Sequence, residues 1–408
     1  MGGGGPRRRW LSAPVVGIGS ASFFSDLGHE VPTALLPSFL SSTLGAPAAA
    51  LGLIEGIADG GAGVAKLVGG GLADDPSRRR KVAVGGYVTT ALLSSAIGFA
   101  TAAWQVGVLR TGAWVARGVR GPSRNAMLAD AVPSEAYGRA YGFERAMDNL
   151  GAIFGPILAI GLVALTNVRT AIKLSMIPGL LAAAAIAYAA ARVVERRREH
   201  RPFSLRIRPV LRGPLRRILA GVGAFELGNV AATLMILRAT ELLAPGHGQD
   251  SATAIALAMY VAYNTTATLS SVPAGRLVDR SGPVHAMTLG TALFLVAYVA
   301  LALTGPSVPL LAAGFVLAGV GIGSVETAEN AVVATHAPEE IRGSAFGVLA
   351  AMQSGGNLVA SAGAGILWTL VGGGWAFAIA AFWMAVSGAI LFGPLRAERA
   401  RAFARRQA

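Results

Sequence analysis

The chain contains no cysteine. Disulfides, thiol nucleophiles and thiolate metal sites are therefore excluded from its chemistry. Charge is scarce as well: 14% of the residues are charged, against about 25% in a typical soluble domain. Acid is scarcer than base, with 21 Asp and Glu against 35 Lys and Arg, for a net charge of +14. No stretch of the form G-x-x-x-x-G-K-[ST] occurs, so no Walker-type loop is available to bind ATP.

Apolar residues fill the space left by charge, at 53% of the chain. Long apolar stretches such as Val82–Ala103, Ala171–Ala191 and Pro283–Thr304 recur. Each is long enough to cross a hydrocarbon layer of ~30 Å. Breaks fall near residues 42–48, 73–81, 101–105, 129–139, 165–169, 192–217, 245–251, 278–283, 303–308, 336–342 and 371–374, which gives twelve spans. The N-terminus, Met1–Arg9, is glycine-rich and then basic. The apolar run behind it holds Asp26, His29 and Glu30 and does not read as a cleaved signal peptide.

The basic residues are distributed on one side. With the spans numbered alternately, that side holds Arg7–Arg9, Arg78–Lys81, Arg139, Arg145, ten arginines between Arg192 and Arg217, Arg276, Arg280, Arg342 and five in the tail. The other side holds Arg169. The positive-inside rule then predicts a multi-pass protein of the cytoplasmic membrane with both termini in the cytoplasm. The basic excess reads as an orientation signal that also meets anionic lipid headgroups, not as a nucleic-acid surface. The expected organisation is a cytoplasmic segment at 1–12, a six-helix bundle at 13–191, a basic linker at 192–217, a second bundle at 218–393 and a basic tail at 394–408.

The chain also repeats itself. Gly70-Gly71-Leu72-Ala73-Asp74 recurs 205 residues later as Gly275-Arg276-Leu277-Val278-Asp279. The same offset pairs Asn125 with Asn330, Pro133 with Pro338, Glu135 with Glu340, Gly142 with Gly347 and Gly151 with Gly356. At an offset of 200, Asp26-Leu27-Gly28-His29 aligns with Glu226-Leu227-Gly228-Asn229. Two similar halves in an apolar chain point to a transporter built from repeats. The expected fold is an all-α membrane protein, with twelve transmembrane helices in two pseudo-symmetric six-helix bundles. The 54 glycines lie mostly inside the spans, where small residues let helix backbones approach. Gly319-x-Gly321-x-Gly323 sits within an apolar span and reads as packing, not as a phosphate loop.

These residues resemble the major facilitator superfamily, whose signature between helices 2 and 3 is G-x-L-x-D-R-x-G-R-R. The first copy keeps Gly70, Leu72, Asp74, Arg78 and Arg79, with Asp75 and Ser77 as departures. The second keeps Gly275, Leu277, Asp279, Arg280 and Gly282, and lacks the basic pair at Pro283-Val284. The resemblance implies that each aspartate meets the N-terminus of a helix in the opposite half when the cytoplasmic side is closed. Asp74 would face the start of span 11 near Gly343, and Asp279 the start of span 5 near Arg139. Gly151-x-x-x-Gly155-Pro156 in span 5 resembles the G-x-x-x-G-P of drug:proton antiporters, and a kink with ordinary packing explains it equally well. Arg110 falls where the family has a helix-4 arginine, but Trp114 replaces the glycine found four residues later.

Ionisable groups inside a span cost at least ~2.5–3.5 kcal/mol each and persist where they face a wet cavity or pair together. The candidate coupling and substrate cavity comprises Asp26, His29, Glu30, Glu55, Asp59, Arg110, Arg117, Asp148, Glu226, Asn229, Glu326 and Glu329. Asp26 is the first candidate to carry a proton and Asp59 the second. Arg120, Arg124, Glu144 and Arg145 read as interfacial pairs near the cytoplasmic end, Lys66 as a snorkelling group or a partner of Asp59, and Arg238 with Glu241 as a rim pair. His29 is the one clearly intramembrane histidine, so no metal site is expected, and no cofactor. The expected function is secondary transport of a small solute by alternating access, by a monomer coupled to protons or another ion. Efflux antiport is preferred. Uptake symport of a small metabolite is the close alternative, and a non-cycling transporter-like receptor a further one. An intramembrane enzyme would need a converging nucleophile and base, and Asp26/His29/Glu30 matches no recognised motif.

Overall fold

The computed structural model describes residues 10–193, 203–212 and 215–407, and of 397–407 only the helical backbone. The basic residues Arg7–Arg9 and the linker positions 194–202 and 213–214 lie outside the described residues. Among the described residues there is no strand.

The first bundle is built from α1 (Ala13–Ser38), α2 (Ala48–Ala73), α3 (Pro76–Ala96), α4 (Ala103–Ala131), α5 (Tyr137–Leu165), α6 (Val168–Leu174) and α7 (Met176–Ala190). The short α8 (Ile207–Arg212) lies in the connector. The second bundle comprises α9 (Arg216–Gly228), α10 (Ala232–His247), α11 (Gln249–Ser281), α12 (Pro283–Leu303), α13 (Val308–His336), α14 (Arg342–Val371) and α15 (Gly373–Gln407). Span 6 is α6 plus α7, interrupted at Ser175. Span 7 is α9 plus α10, broken at Asn229–Ala231. The last helix continues through Pro394 to Gln407, so the tail prolongs span 12 as helix.

Helix ends follow local chemistry. The Asp75 side chain accepts from the Ser77 N–H at 3.0 Å and caps α3, with Pro76 in its first turn. Gly248, Gly282 and Gly372 are the sole residues between successive helices, at φ of 76°, 93° and 91°. A side chain is strained in that region, so these reversals require glycine.

Seven of the spans are long and apolar enough to cross a membrane on composition. Those that fall short are α1, α2, α4, α11 and α14. Contacts across the seam explain three of these: α2 packs on α14, and α11 packs on α5 of the other bundle. Helices facing that seam carry ionisable and hydroxyl side chains and have less need of a lipid-compatible surface. Each bundle closes on its own interior. In the second, Phe225, Phe294, Tyr298 and Phe377 form a chain of ring contacts with centroids 5.3–5.5 Å apart.

The bundles meet at the end that carries the basic residues. A Cβ placed on Gly70 would lie 2.8 Å from the Gly343 carbonyl oxygen and 2.9 Å from the Gly347 Cα. On the other side of the seam, a Cβ on Gly275 would lie 2.3 Å from the Gly138 carbonyl oxygen. Further along α2, a Cβ at Gly52, Gly56 or Gly60 would meet nothing within 4 Å. Leu53 and Ile57 are exposed there. The seam is tight at the basic end and open at the opposite end.

Because the chain lacks cysteine, a single introduced thiol reports on one place. Gly347→Trp, which cannot fit against α2, is expected to raise the maleimide labelling rate of an Asn330→Cys reporter several-fold. An unchanged rate would show that the glycine contact does not hold the basic end shut.

Candidate functional site

Two carboxylates close the basic end. Asp74, at the end of α2, accepts from the Ser344 N–H at 2.8 Å and the Ser344 hydroxyl at 2.5 Å. Asp279, near the end of α11, accepts from the N–H groups of Gly138 at 2.7 Å and Arg139 at 3.3 Å, and from Arg139 Nε at 2.5 Å. Each acid thus sits at the first turn of a helix in the other bundle, α14 or α5. Amides there have no partner within their own helix, and the helix dipole favours negative charge. Burial pushes the Asp74 carboxyl up from its ordinary value, against the pull of the Ser344 hydrogen bonds. Around this lock, Arg79 binds the Ala73 carbonyl at 2.6 Å and pairs with Asp130, which Arg342 approaches from the second bundle at 3.6 Å. Arg78 pairs with its neighbour Asp75, while Arg280 is exposed at the end of α11.

On α4, Arg110, Arg117 and Arg124 are seven residues apart and therefore share a face. Each is neutralised by a different helix. Arg110 pairs with Glu55 of α2 at 2.9 Å, Arg117 with Asp26 of α1 at 2.7 Å, and Arg124 with Glu144 of α5 at 2.8 Å. Arg110 also donates to Thr33 at 3.1 Å and lies 3.5 Å over the Trp114 ring. That ring faces His29 at 4.1 Å, and its N–H donates to Asp59 at 2.7 Å. Trp114 thus gathers Arg110, His29 and Asp59 around one side chain. The sequence signal was the indole in place of the family's glycine. Glu30 is half-buried on the same face of α1 as Asp26.

The second bundle contributes acids without cations of its own. Glu226 lies in the last turn of α9 and accepts from Asn229 Nδ2 at 3.1 Å. Glu329 is fully buried, accepts from Gln353 Nε2 at 2.7 Å, and leaves Oε1 without a hydrogen-bond partner. Glu326 reaches across the seam to Arg145 at 3.4 Å, whose other contact is Asp148 at 2.8 Å. The break after Glu226 is satisfied by α14. The Asn229 carbonyl accepts from Asn357 at 3.1 Å, and the Ala231 N–H donates to Ser361 at 3.0 Å. Asn125 and Asn330, the repeat's own copies of each other, bond at 2.9 Å across the seam.

In α5, Gly151 and Gly155 are contact points for α1. A Cβ on Gly151 would lie 2.4 Å from the Phe23 carbonyl oxygen and 3.0 Å from Asp26 Cβ, and one on Gly155 would lie 2.3 Å from Glu30 Cβ. The helix runs through Pro156 without interruption. Gly356 does the same for the second bundle, where its Cβ would lie 2.4 Å from Glu226 Cβ.

Two expected pairings are replaced by others. Lys66 bonds to Ser354 of α14, not to Asp59. Arg238 donates to the Leu301 carbonyl at 3.1 Å, and Glu241 accepts from Trp368 at 3.0 Å. Arg124 pairs with Glu144 and Arg145 with Asp148 and Glu326, ion pairs as expected, whereas Arg120 is buried with no acid paired to it among the described residues. The cause is common to the two replaced pairings: helix rotation, which spacing within one helix does not reveal, decides which neighbour a charge meets. Among the described residues no group of His, Asp or Glu is arranged to hold a metal.

Two six-helix bundles with an ion-lined seam, locked at one end by carboxylates on helix termini, define a secondary transporter. The Major Facilitator Superfamily model matches residues 18–241 and 242–408. The chain belongs to that superfamily. It is 28% identical over 367 residues to an uncharacterized protein of Mycobacterium tuberculosis, covering 88% of this chain and 86% of that one. It is 24% identical over 366 residues to an uncharacterized MFS-type transporter of Methanocaldococcus jannaschii, covering 89% and 90%. Among solved structures it resembles a bacterial homologue of the iron transporter ferroportin in its outward-facing state, with a TM-score of 0.77, 13% identity and coverage of 93% and 98%. It also resembles the human organic anion transporter MFSD10, with a TM-score of 0.71, 16% identity and coverage of 95% and 100%.

Removing one partner of a buried pair typically costs about 3–5 kcal/mol, because the other charge is left uncompensated. Glu144→Gln removes the nearer of two acids, since Asp148 remains 3.7 Å from Arg124, and is expected to destabilise the protein by less than that, with the double change Arg124→Met/Glu144→Met restoring part of the loss. Thermal unfolding in detergent measures both. Equal stability of single and double variants would show that the pair is not coupled.

Proposed function

We propose that this transporter moves a small solute across the cytoplasmic membrane by proton-coupled antiport, with the basic end in the cytoplasm, and that the structure is its outward-open state. One observation carries the reading: the buried acids Glu226 and Glu329 touch no cation among the described residues, while the acids of the first bundle are mostly held by arginines. An unneutralised carboxylate beside the seam is suited to take up a proton from one side and release it to the other. The bridge from Glu326 to Arg145 and the bond from Lys66 to Ser354 cross the same seam, so opening the basic end must break them. Protonation and rocking then act on one network. Asp26 holds Arg117 in the cavity and is the second candidate for the proton.

The orientation is supported by the basic residues gathered at the closed end and by the outward-facing state named for the ferroportin-homologue structure. Efflux is supported by the Gly151-x-x-x-Gly155-Pro156 pattern, although those glycines also serve as packing points. The chain is read as a monomer, with anionic headgroups against its basic end.

Proteoliposomes loaded with pyranine test this reading against panels of organic cations, organic anions and sugars. An added external solute is expected to drive opposite proton movement, and Glu329→Gln to abolish that coupling by at least about tenfold, or ~1.4 kcal/mol. Proton movement in the same direction as the solute would establish symport instead. Binding without flux would leave a receptor, and unchanged coupling in Glu329→Gln would remove that residue from the proton path.

A further inference from the structure

Arg120 stands outside the series of three paired arginines on α4. It is 4% exposed, and the described residues offer it no ion pair. Its Nη2 donates to Ser25 Oγ at 2.5 Å, and its guanidinium lies 3.6 Å over the Tyr87 ring. Beside it is a cavity inside the first bundle of about 10 Å³, room for one water-sized particle. Ser25 and His29 of α1, Tyr87 and Ser94 of α3, Arg120 of α4 and Ser175 at the span 6 break contribute to its wall. No carboxylate lines it.

Three of these wall residues are more than nine-tenths buried and hold a polar atom without a partner: Tyr87 Oη, Ser94 Oγ and His29 Nδ1. Leaving such a group unsatisfied costs about 1–3 kcal/mol, and an uncompensated buried charge costs more. All three can donate a hydrogen bond, His29 in the tautomer with Nδ1 protonated. Asp26, the acid next along α1, is already held by Arg117. A water molecule would serve the hydroxyls and leave the guanidinium charge uncompensated. A monatomic anion would meet both needs; it is larger than water, so the side chains of the wall must move outward slightly to admit it.

We propose that this pocket is a binding site for a monatomic anion, chloride in the cell, held by Arg120, Ser25, Tyr87, Ser94 and His29. The bound anion ties α1 to α3 and α4. It also sits where Gly28 of α1 packs on the span 6 break, since a Cβ on Gly28 would lie 3.0 Å from the Gly179 nitrogen and 3.1 Å from the Ser175 oxygen. Occupancy therefore steadies the helix that carries Asp26. The proposal does not depend on the direction of transport or on the coupling ion.

Purified full-length protein is melted while chloride replaces gluconate at constant ionic strength, with bromide as a second halide. A ligand that binds the folded state alone raises the unfolding temperature in a saturable way. That rise is expected for chloride and bromide. Tyr87→Phe and Ser94→Ala, each removing one donor, are expected to raise the half-saturating concentration about tenfold, or ~1.4 kcal/mol, while leaving the melting temperature in gluconate nearly unchanged. Arg120→Gln should abolish the response. Because that variant can fail to fold, the two hydroxyl variants carry the decision. Identical melting in chloride and gluconate would mean that the pocket holds water and would overturn the proposal. A halide response that neither hydroxyl variant shifts would place the anion elsewhere and overturn it equally. The readout is stability, so a failure here leaves the transport reading standing.

Discussion

The architecture depends on two carboxylates from one bundle each meeting free amides at a helix start in the other. Asp74 at Ser344 and Asp279 at Gly138 and Arg139 are pseudo-equivalent contacts, one on each flank of the seam. Neither carboxylate reaches its amides unless the helices touch, and the glycines at 70, 275, 343 and 347 let them touch. A lock of this kind is specific in geometry and modest in strength, since a capping interaction contributes roughly 0.5–2 kcal/mol. That range suits a contact that must form and break in every cycle. A seam sealed by a large hydrophobic interface would not reopen readily.

Charge is divided between the bundles in a way the repeat conceals. Asp26 and Glu226 occupy equivalent positions, and each faces a glycine of its bundle's fifth span, Gly151 or Gly356. Yet Asp26 has Arg117 against it, while Glu226 accepts from Asn229 and has no ion pair among the described residues. The arginine series of α4 has no counterpart in α13, where Glu326 and Glu329 stand instead. Duplication supplied the scaffold, and divergence made one half a neutralised network and the other an acidic one. Arg145 and Lys66 carry the first half's positive charge towards the second half's acids and hydroxyls.

Much of the scaffold is legible in the sequence because the repeat has a register. The offset that pairs Gly70 with Gly275 and Gly142 with Gly347 identifies equivalent positions. The structure then brings Gly70 against Gly347 and Gly142 against Gly275, a crossing that an offset alone does not express. Hydropathy is a weaker guide for α11 and α14, whose seam-facing sides are polar. The break at Asn229–Ala231 carries no proline, and its backbone groups are satisfied by Asn357 and Ser361 from a distant span. Side-chain partners are the least legible feature. Lys66 and Arg238 each lie at positions where a small rotation of the helix selects a different neighbour. Trp114 was visible only as a departure from the family pattern, and its role emerges from three residues on three helices meeting one ring.

The bond between Asn125 and Asn330 has a further implication. A carboxamide is donor and acceptor at once, so it can bind a duplicate of itself, which neither a carboxylate nor a guanidinium can do with equal ease. The two residues occupy the same position in their respective halves and meet each other, which sets them on the pseudo-twofold axis. The same bond could therefore form between two separate half-length polypeptides in an isologous pair. An ancestral homodimer of six-helix subunits would already have possessed this central contact, and fusion into one gene needed to invent nothing new there.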